Sequence, residues 1–185
     1  MAKILVLVAF LSLCLFGCQP AEVPEEQAAP AEEPAPSTNR GTAQVTIGAI
    51  EIKIDYGRPE LQGRDMLGKL QDGQVWRLGM NEATTLETSG DLTFGESVVP
   101  SGKYSIWAKK VSPAEWHLIF NSEPDIWGTE RQPDKDVAEV PMEVSQLDES
   151  VEQFLIELNA TGDMAGEIVM SWATLQLKVP FSVSS

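Results

Sequence analysis

The chain is poor in the residues that most often build metal sites, disulfides and nucleophilic triads. It contains one histidine, His117, and two cysteines, Cys14 and Cys18, both near the N-terminus. A structural zinc site needs four Cys or His ligands, and a Ser-His-Asp triad would have to use His117 as its base. Because no cysteine follows Cys18, residues 41–185 cannot form an internal disulfide. We therefore expect no metal and no cofactor, and we interpret His117 as structural.

Basic residues are also scarce. The chain has 13 Lys and Arg against 28 Asp and Glu, which gives a formal net charge of −15 at pH 7. Such a charge argues against nucleic acid as a partner and against adhesion to anionic lipid. Four acidic residues crowd one segment, but without EF-hand spacing, so we interpret them as a solvated loop and not as a calcium site. They are Asp125, Glu130, Asp134 and Asp136.

The first residues have the pattern of an export signal. Lys3 precedes an uncharged apolar run over residues 4–16, which is shorter than the roughly 20 residues of a membrane-spanning helix. The run leads into the sequence LFGC, which resembles the lipobox of bacterial lipoproteins. We predict a lipoprotein signal peptide over residues 1–17 and a lipidated Cys18 that anchors the protein to the lipid bilayer. Gln19, after the cysteine, favours an outer membrane facing the periplasm in a cell that has one.

A tether follows the predicted anchor. Residues 18–40 are dominated by Ala, Pro and Glu and contain no aromatic residue. Such a segment cannot bury enough apolar surface to fold, and its prolines favour extended conformations. We predict a disordered tether over residues 18–40 and a single domain over residues 41–185.

The domain has the period-two patterning of β-strands. Ile50, Ile52, Ile54 and Tyr56 alternate with charged residues, and Gly48 before them indicates a turn. Further short apolar runs are separated by Gly, Pro and Ser, whereas helical periodicity is nearly absent; only residues 145–153 would fit a helical turn. We predict an all-β fold, a single antiparallel β-sandwich of about eight to ten strands.

The stretch Val75–Thr84, VWRLGMNEAT, is the first candidate for a site. One interpretation is structural: Arg77 and Glu82 pair in a fork geometry, Asn81 bonds the local backbone, and Trp76 and Met80 pack the loop onto the core. If so, removing either charged partner should destabilise the domain, because the other charge is left unpaired.

The second interpretation is a ligand-binding recess in the same region. Planar guanidinium groups beside aromatic rings suit carboxylate, phosphate or sugar hydroxyl ligands. Trp107 and Trp127 would add stacking faces. The candidate lining residues are Tyr56, Arg58, Arg64, Trp76, Arg77, Asn81 and Glu82. The two interpretations are compatible, because a fixed loop also preorganises a site.

A set of separated motifs carries a family resemblance. The motifs are Tyr56-x-Arg58-Pro59, Gly63-Arg64, the stretch over 75–84, Pro100-x-Gly102-x-Tyr104-Ser105, Trp172 and Val179-Pro180-Phe181. Together they resemble domain of unknown function 2911, a family of bacterial exported proteins and lipoproteins, over the chain from residue 42 onward. The resemblance implies a β-rich single domain with no established activity, and it supplies no catalytic residues. The chain departs from the family pattern after Trp127-Gly128, where a Tyr and an Asp are expected.

We expect a lipid-anchored protein of the cell envelope that binds without catalysis. Its ligand would be a small anionic or glycan-like molecule, or its partner another envelope protein. One alternative is a carboxylate-dependent hydrolase of glycans or esters that uses the Arg, Asn and Glu side chains of the recess. Another is a structural or assembly lipoprotein.

Overall fold

The computed structural model describes residues 39–184, which form ten β-strands and one 3-10 turn. The predicted signal peptide, Cys18 and the tether up to residue 38 lie outside the described residues. The first strand begins at Arg40, the last residue that the sequence assigned to the tether. Within residues 39–184, no helix is long and apolar enough to cross a membrane.

All the strands pair antiparallel. They are β1 (Arg40–Ile47), β2 (Ile50–Gly57), β3 (Val75–Trp76), β4 (Thr85–Thr88), β5 (Asp91–Phe94), β6 (Ser97–Val99), β7 (Gly102–Ser112), β8 (Glu115–Asn121), β9 (Asp136–Gly162) and β10 (Ala165–Ser184). The 3-10 turn spans Pro133–Lys135. The strands follow the order β1-β2-β4-β7-β8-β9-β10-β5-β6, and the short β3 pairs with β7 beyond the residues that β4 uses. The predicted all-β, antiparallel fold is confirmed.

The two predicted layers belong to one continuous, open sheet. Ring contacts join strands that are far apart in its order: Phe94 of β5 lies 5.1 Å from Phe120 of β8, and Tyr56 of β2 lies 5.7 Å from Phe154 of β9. Such contacts require one part of the sheet to fold over the other, so that both inner faces fill one core. Strand β9 belongs to both parts, because it pairs first with β8 and from Glu143 onward with β10.

The hairpin of β1 and β2 follows directly from the sequence. Gly48 has a φ of 61°, and Ile47 stands opposite Ile50 across the two-residue turn. A positive φ at the turn suits the right-handed twist of the paired strands. Ile52 and Ile54 are buried while their charged neighbours are exposed or half-buried. The predicted turn and the predicted alternation are both confirmed.

Strand β9 is longer than the short apolar runs suggested. Residues 145–153 continue β9 in an extended conformation, so the expected helical turn is wrong there. Between Gln146 and Val151 the strand instead carries extra residues opposite Ala173–Leu175 of β10. Such a bulge absorbs polar residues without breaking the sheet.

The single histidine lies in a charged cluster on the partly exposed face of β7, β8 and β9. His117 Nδ1 is 2.7 Å from Glu139 Oε1 and its Nε2 is 3.2 Å from Glu115 Oε1, while Lys109 Nζ lies 3.0 Å from the same Glu139 oxygen. Partial burial acts to raise the pKa of Glu139, but hydrogen bonds and charge from Lys109 and His117 outweigh it and lower that pKa below 4.5. His117 thus bridges Glu139 and Glu115 in this cluster.

We predict that this cluster makes the domain less stable in acid. A carboxylate whose pKa is lowered on folding stabilises the native state above its unfolded pKa, and the gain is lost as the pH falls through the folded pKa. Glu139→Gln should cost at most about 1 kcal/mol of unfolding free energy at pH 7, because the cluster is partly exposed, and progressively less below pH 5. Urea unfolding across the pH range measures this, with the exposed Glu51→Gln as control. A Glu139→Gln effect that stays constant with pH would contradict the assignment.

Candidate functional site

The stretch between β3 and β4 lies directly on the end of β2. A Cβ atom at Gly57 would overlap the backbone oxygen and nitrogen of Met80. A Cβ at Gly79, whose φ is 151°, would lie 2.8 Å from the Gly57 oxygen. The two glycines therefore allow backbone to pack against backbone, which no residue with a side chain permits.

Buried hydrogen bonds fix this loop. The Thr84 hydroxyl donates to the Leu78 carbonyl at 2.5 Å, and both residues are fully buried. The loop also pairs with the segment that ends at Gly128. The Gly128 N–H donates to the Asn81 carbonyl at 2.8 Å. Leu78 and Asn81 have φ values of 49° and 62°, in the left-handed region that non-glycine residues rarely adopt. Asn81 thus contributes its backbone to the loop.

The ion pair of the loop differs from the predicted one. Glu82 Oε2 lies 3.1 Å from Arg40 Nη1, and Arg40 Nε also donates to Asp55 Oδ1 at 2.6 Å. The predicted pairing of Arg77 with Glu82 is wrong. The reason is the sheet register, which places Arg40 opposite Gly57, the residue on which the loop rests. We had assigned Arg40 to the tether from the sequence, so it was not a candidate partner for Glu82.

Beside the loop is a recess of about 340 Å³. Its aromatic wall is the stacked pair of Trp76 and Trp172, with ring centroids 5.5 Å apart and planes inclined by 14°. Phe154 packs edge-on against both rings from the core side. The remaining wall is mostly apolar, and the full lining is Pro59, Glu60, Arg64, Met66, Leu67, Leu70, Trp76, Arg77, Gly79, Met80 and Trp172.

Two arginines, Arg64 and Arg77, line this recess. Arg64 is held by its backbone neighbours, with Nε donating to Leu61 O and Nη2 to Glu60 O, each at 3.0 Å. The Arg77 side chain lies against Gly128, and within the described part of the chain no hydrogen bond or ion pair engages its guanidinium. None of the Arg77 side-chain nitrogens is both buried and without a hydrogen-bond partner. The nitrogen donors of Arg77 are therefore accessible from the recess or from solvent.

The predicted site residues therefore lie in four different places. Arg64, Trp76 and Arg77 line the recess, whereas Asn81 and Glu82 fix the loop. Tyr56 is a core residue whose hydroxyl donates to Ile156 O at 3.3 Å. Arg58 lies in another groove, next to Gly41, where its Nε is buried without a partner among the described residues.

Other residues of the recess were not among the sequence candidates. Trp172 entered only as part of a motif, although its stacking on Trp76 forms the aromatic wall. Met66, Leu67 and Leu70 were hidden in the Gly-rich loop after β2. Conversely, Trp107 packs in a small separate cluster with Ala83 and Ile119, and Trp127 lies outside the recess lining with 40% of its surface exposed.

The acidic segment around residues 125–136 is held by basic side chains. Asp125 lies 2.7 Å from Lys103, and Asp136 pairs with Arg131 and accepts a hydrogen bond from Asn121. Among residues 39–184, no three His, Cys, Asp or Glu residues are grouped so that they could hold a metal ion.

The fold and the recess define a class: a single-domain, all-β protein with one folded-over antiparallel sheet and a recess lined by tryptophan and arginine. The chain belongs to the family described as protein of unknown function (DUF2911), whose family model matches residues 38–181. The family resemblance read from the motifs is thereby confirmed. No curated protein and no solved structure matches the chain.

We predict that Gly57→Ala destabilises the domain by at least about 2 kcal/mol, because the added methyl group must displace the backbone of Met80. Gly162→Ala is the matched control, since a Cβ there would meet only Ala165 Cβ at 3.7 Å. Chemical denaturation of both variants measures the difference. Equal stabilities would show that the loop does not rest on β2.

Proposed function

We propose that this is a lipid-anchored protein of the cell envelope whose domain binds a small anionic ligand without turning it over. The anchor is the Cys18 of the lipoprotein-like N-terminus, and the ligand site is the recess beside Trp76 and Trp172. One observation carries the binding site: Glu82 pairs with Arg40, so that Arg77, which lines the recess together with Trp76 and Trp172, has no ion pair within the described residues. An unpaired guanidinium next to apolar surface favours a carboxylate or phosphate.

The lining favours an anion with an apolar body over a glycan. Sugar recognition needs several side-chain acceptors and amides for the hydroxyl groups. The described lining contains no Ser, Thr, Asn or Gln, and Glu60 is its one carboxylate. Met66, Leu67, Leu70 and Met80 instead supply flexible apolar contacts of the kind that adapt to a ligand.

The size of the recess limits the ligand. Its volume of about 340 Å³ is near the lower end of ligand sites, which span about 300–1,000 Å³. At about 30 Å³ per water, it holds on the order of ten water-sized groups. A compact acid with one ring or a short branched chain fits this space.

Binding is better supported than hydrolysis. A glycosidase needs two carboxylates about 5 to 10 Å apart at the bond to be cleaved. Glu60 accepts a hydrogen bond from Gln153 at 3.3 Å, and Glu82 is paired with Arg40. Glu82 lies outside the recess lining and Glu60 is the one carboxylate in it, which favours a site that holds a ligand over one that cleaves it.

We predict that Arg77→Gln weakens binding of 3-phenylpropanoate, used as the probe anion, by about tenfold or more. The expected loss reflects one charge-assisted hydrogen bond, about 1.5–3 kcal/mol. Because Arg77 has no partner in the domain, the melting temperature should stay within about 1–2 °C of wild type. A titration followed by intrinsic tryptophan fluorescence, to which Trp76 and Trp172 contribute, measures the affinity. The neutral 3-phenylpropan-1-ol shows how much of the affinity depends on charge.

The control is Lys53→Gln, which removes the same charge from the exposed face of β2 and should leave binding unchanged. Wild-type affinity in Arg77→Gln, or equal affinities for acid and alcohol, would overturn the proposed site. Turnover of a glycan or ester that is lost in Glu82→Gln with the fold intact would overturn the non-catalytic role.

A further inference from the structure

A second recess lies where β9 and β10 separate. Their pairing ends at Glu143 and Lys178, and continuing the same register would set Pro141 opposite Pro180. Neither proline has an N–H to donate, so the ladder cannot continue through this pair. Beyond it β9 pairs with β8, and β10 pairs with β5. The divergence leaves a recess of about 530 Å³ between the strands and the turn of the β5–β6 hairpin.

The walls of this second recess are largely apolar. Phe94, Val140, Met142 and Val179 contribute side chains, and all four residues are buried for most of their surface. Pro141 and Pro180 add apolar rings on the same walls. The volume is well within the range of ligand sites.

Two carboxylates are the charged groups of the lining. Neither Glu96 nor Glu143 has a salt bridge within the described part of the chain. Lys178, which stands opposite Glu143 in the sheet, is 3.2 Å from Glu167 instead. The lining has no basic side chain, and Ser97 provides its one side-chain donor. The recess thus offers apolar surface and acceptors but almost no donors.

We propose that this second recess binds an organic ammonium ion with an apolar body, such as a primary amine. An ammonium group has three donors and no acceptor, which complements a lining with the opposite character. The apolar body would contact Phe94 and Met142 while the charge lies between Glu96 and Glu143. The net charge of −15 concentrates cations around the protein.

The test compares 2-phenylethylamine with 2-phenylethanol, which has nearly the same shape but no charge at neutral pH. The purified full chain, labelled with ¹⁵N, is titrated with each, and amide shifts at Gly95, Ser97 and Glu143 report binding. We expect about three- to tenfold tighter binding of the amine, as two exposed carboxylates can supply. In the double variant Glu96→Gln and Glu143→Gln, amine and alcohol should bind equally. Arg77→Gln should leave the amine affinity unchanged, because Arg77 is not part of the second recess. The experiment therefore tests this site independently of the proposed anion site.

The matched control is Glu51→Gln with Glu87→Gln, which removes two exposed charges outside this recess. It should keep the preference for the amine. Equal binding of amine and alcohol to the wild type would overturn the proposal. So would a preference that survives in the Glu96/Glu143 variant, or one that the control variant also removes.

Discussion

The contact between the backbones of Gly57 and Met80 is the constraint on which the candidate site depends. It brings the loop after β3 onto the end of β2, where Arg40 is already held by the pairing of β1 with β2. Glu82 then meets Arg40 and not its sequence neighbour Arg77. The cost of two left-handed, non-glycine residues in this loop is offset by buried hydrogen bonds and by burial of Leu78. A loop fixed in this way leaves the Arg77 guanidinium without a hydrogen bond or ion pair within residues 39–184.

The residues of VWRLGMNEAT divide between two places in the structure. Glu82, Asn81 and Thr84 fix the loop, whereas Trp76 and Arg77 line the recess. Trp76 ends β3 and packs on the core, and Arg77 begins the loop that follows it. A rigid loop holds a ligand group at little further entropic cost, which is the usual benefit of preorganisation.

Sequence patterns predicted the strand alternation of β2, the turn at Gly48 before it and the all-β class, because period two and glycine positions are local signals. They did not predict that β9 would join both parts of the sheet, since pairing depends on residues far apart in the chain. Arg40 was missed as the partner of Glu82 for the same reason: register, and not sequence distance, determines which charges meet. Trp172 was visible as an aromatic residue, but its stacking on Trp76 follows only from the folding of the sheet. The sequence alone shows that Pro141 and Pro180 lack the N–H that a β-ladder needs. It does not show that the two prolines face each other where the β9–β10 ladder ends.

Two double-mutant cycles on the free energy of unfolding test the central claim most directly. One combines Arg40→Ala with Glu82→Ala, and the other combines Arg77→Ala with Glu82→Ala. We predict a coupling of about 1 kcal/mol for the first pair, which is half-buried, and none beyond the error of about 0.3–0.5 kcal/mol for the second. Coupling between Arg77 and Glu82, together with its absence between Arg40 and Glu82, would contradict the account, because Arg77 would then be part of the structural fastening and unavailable to a ligand.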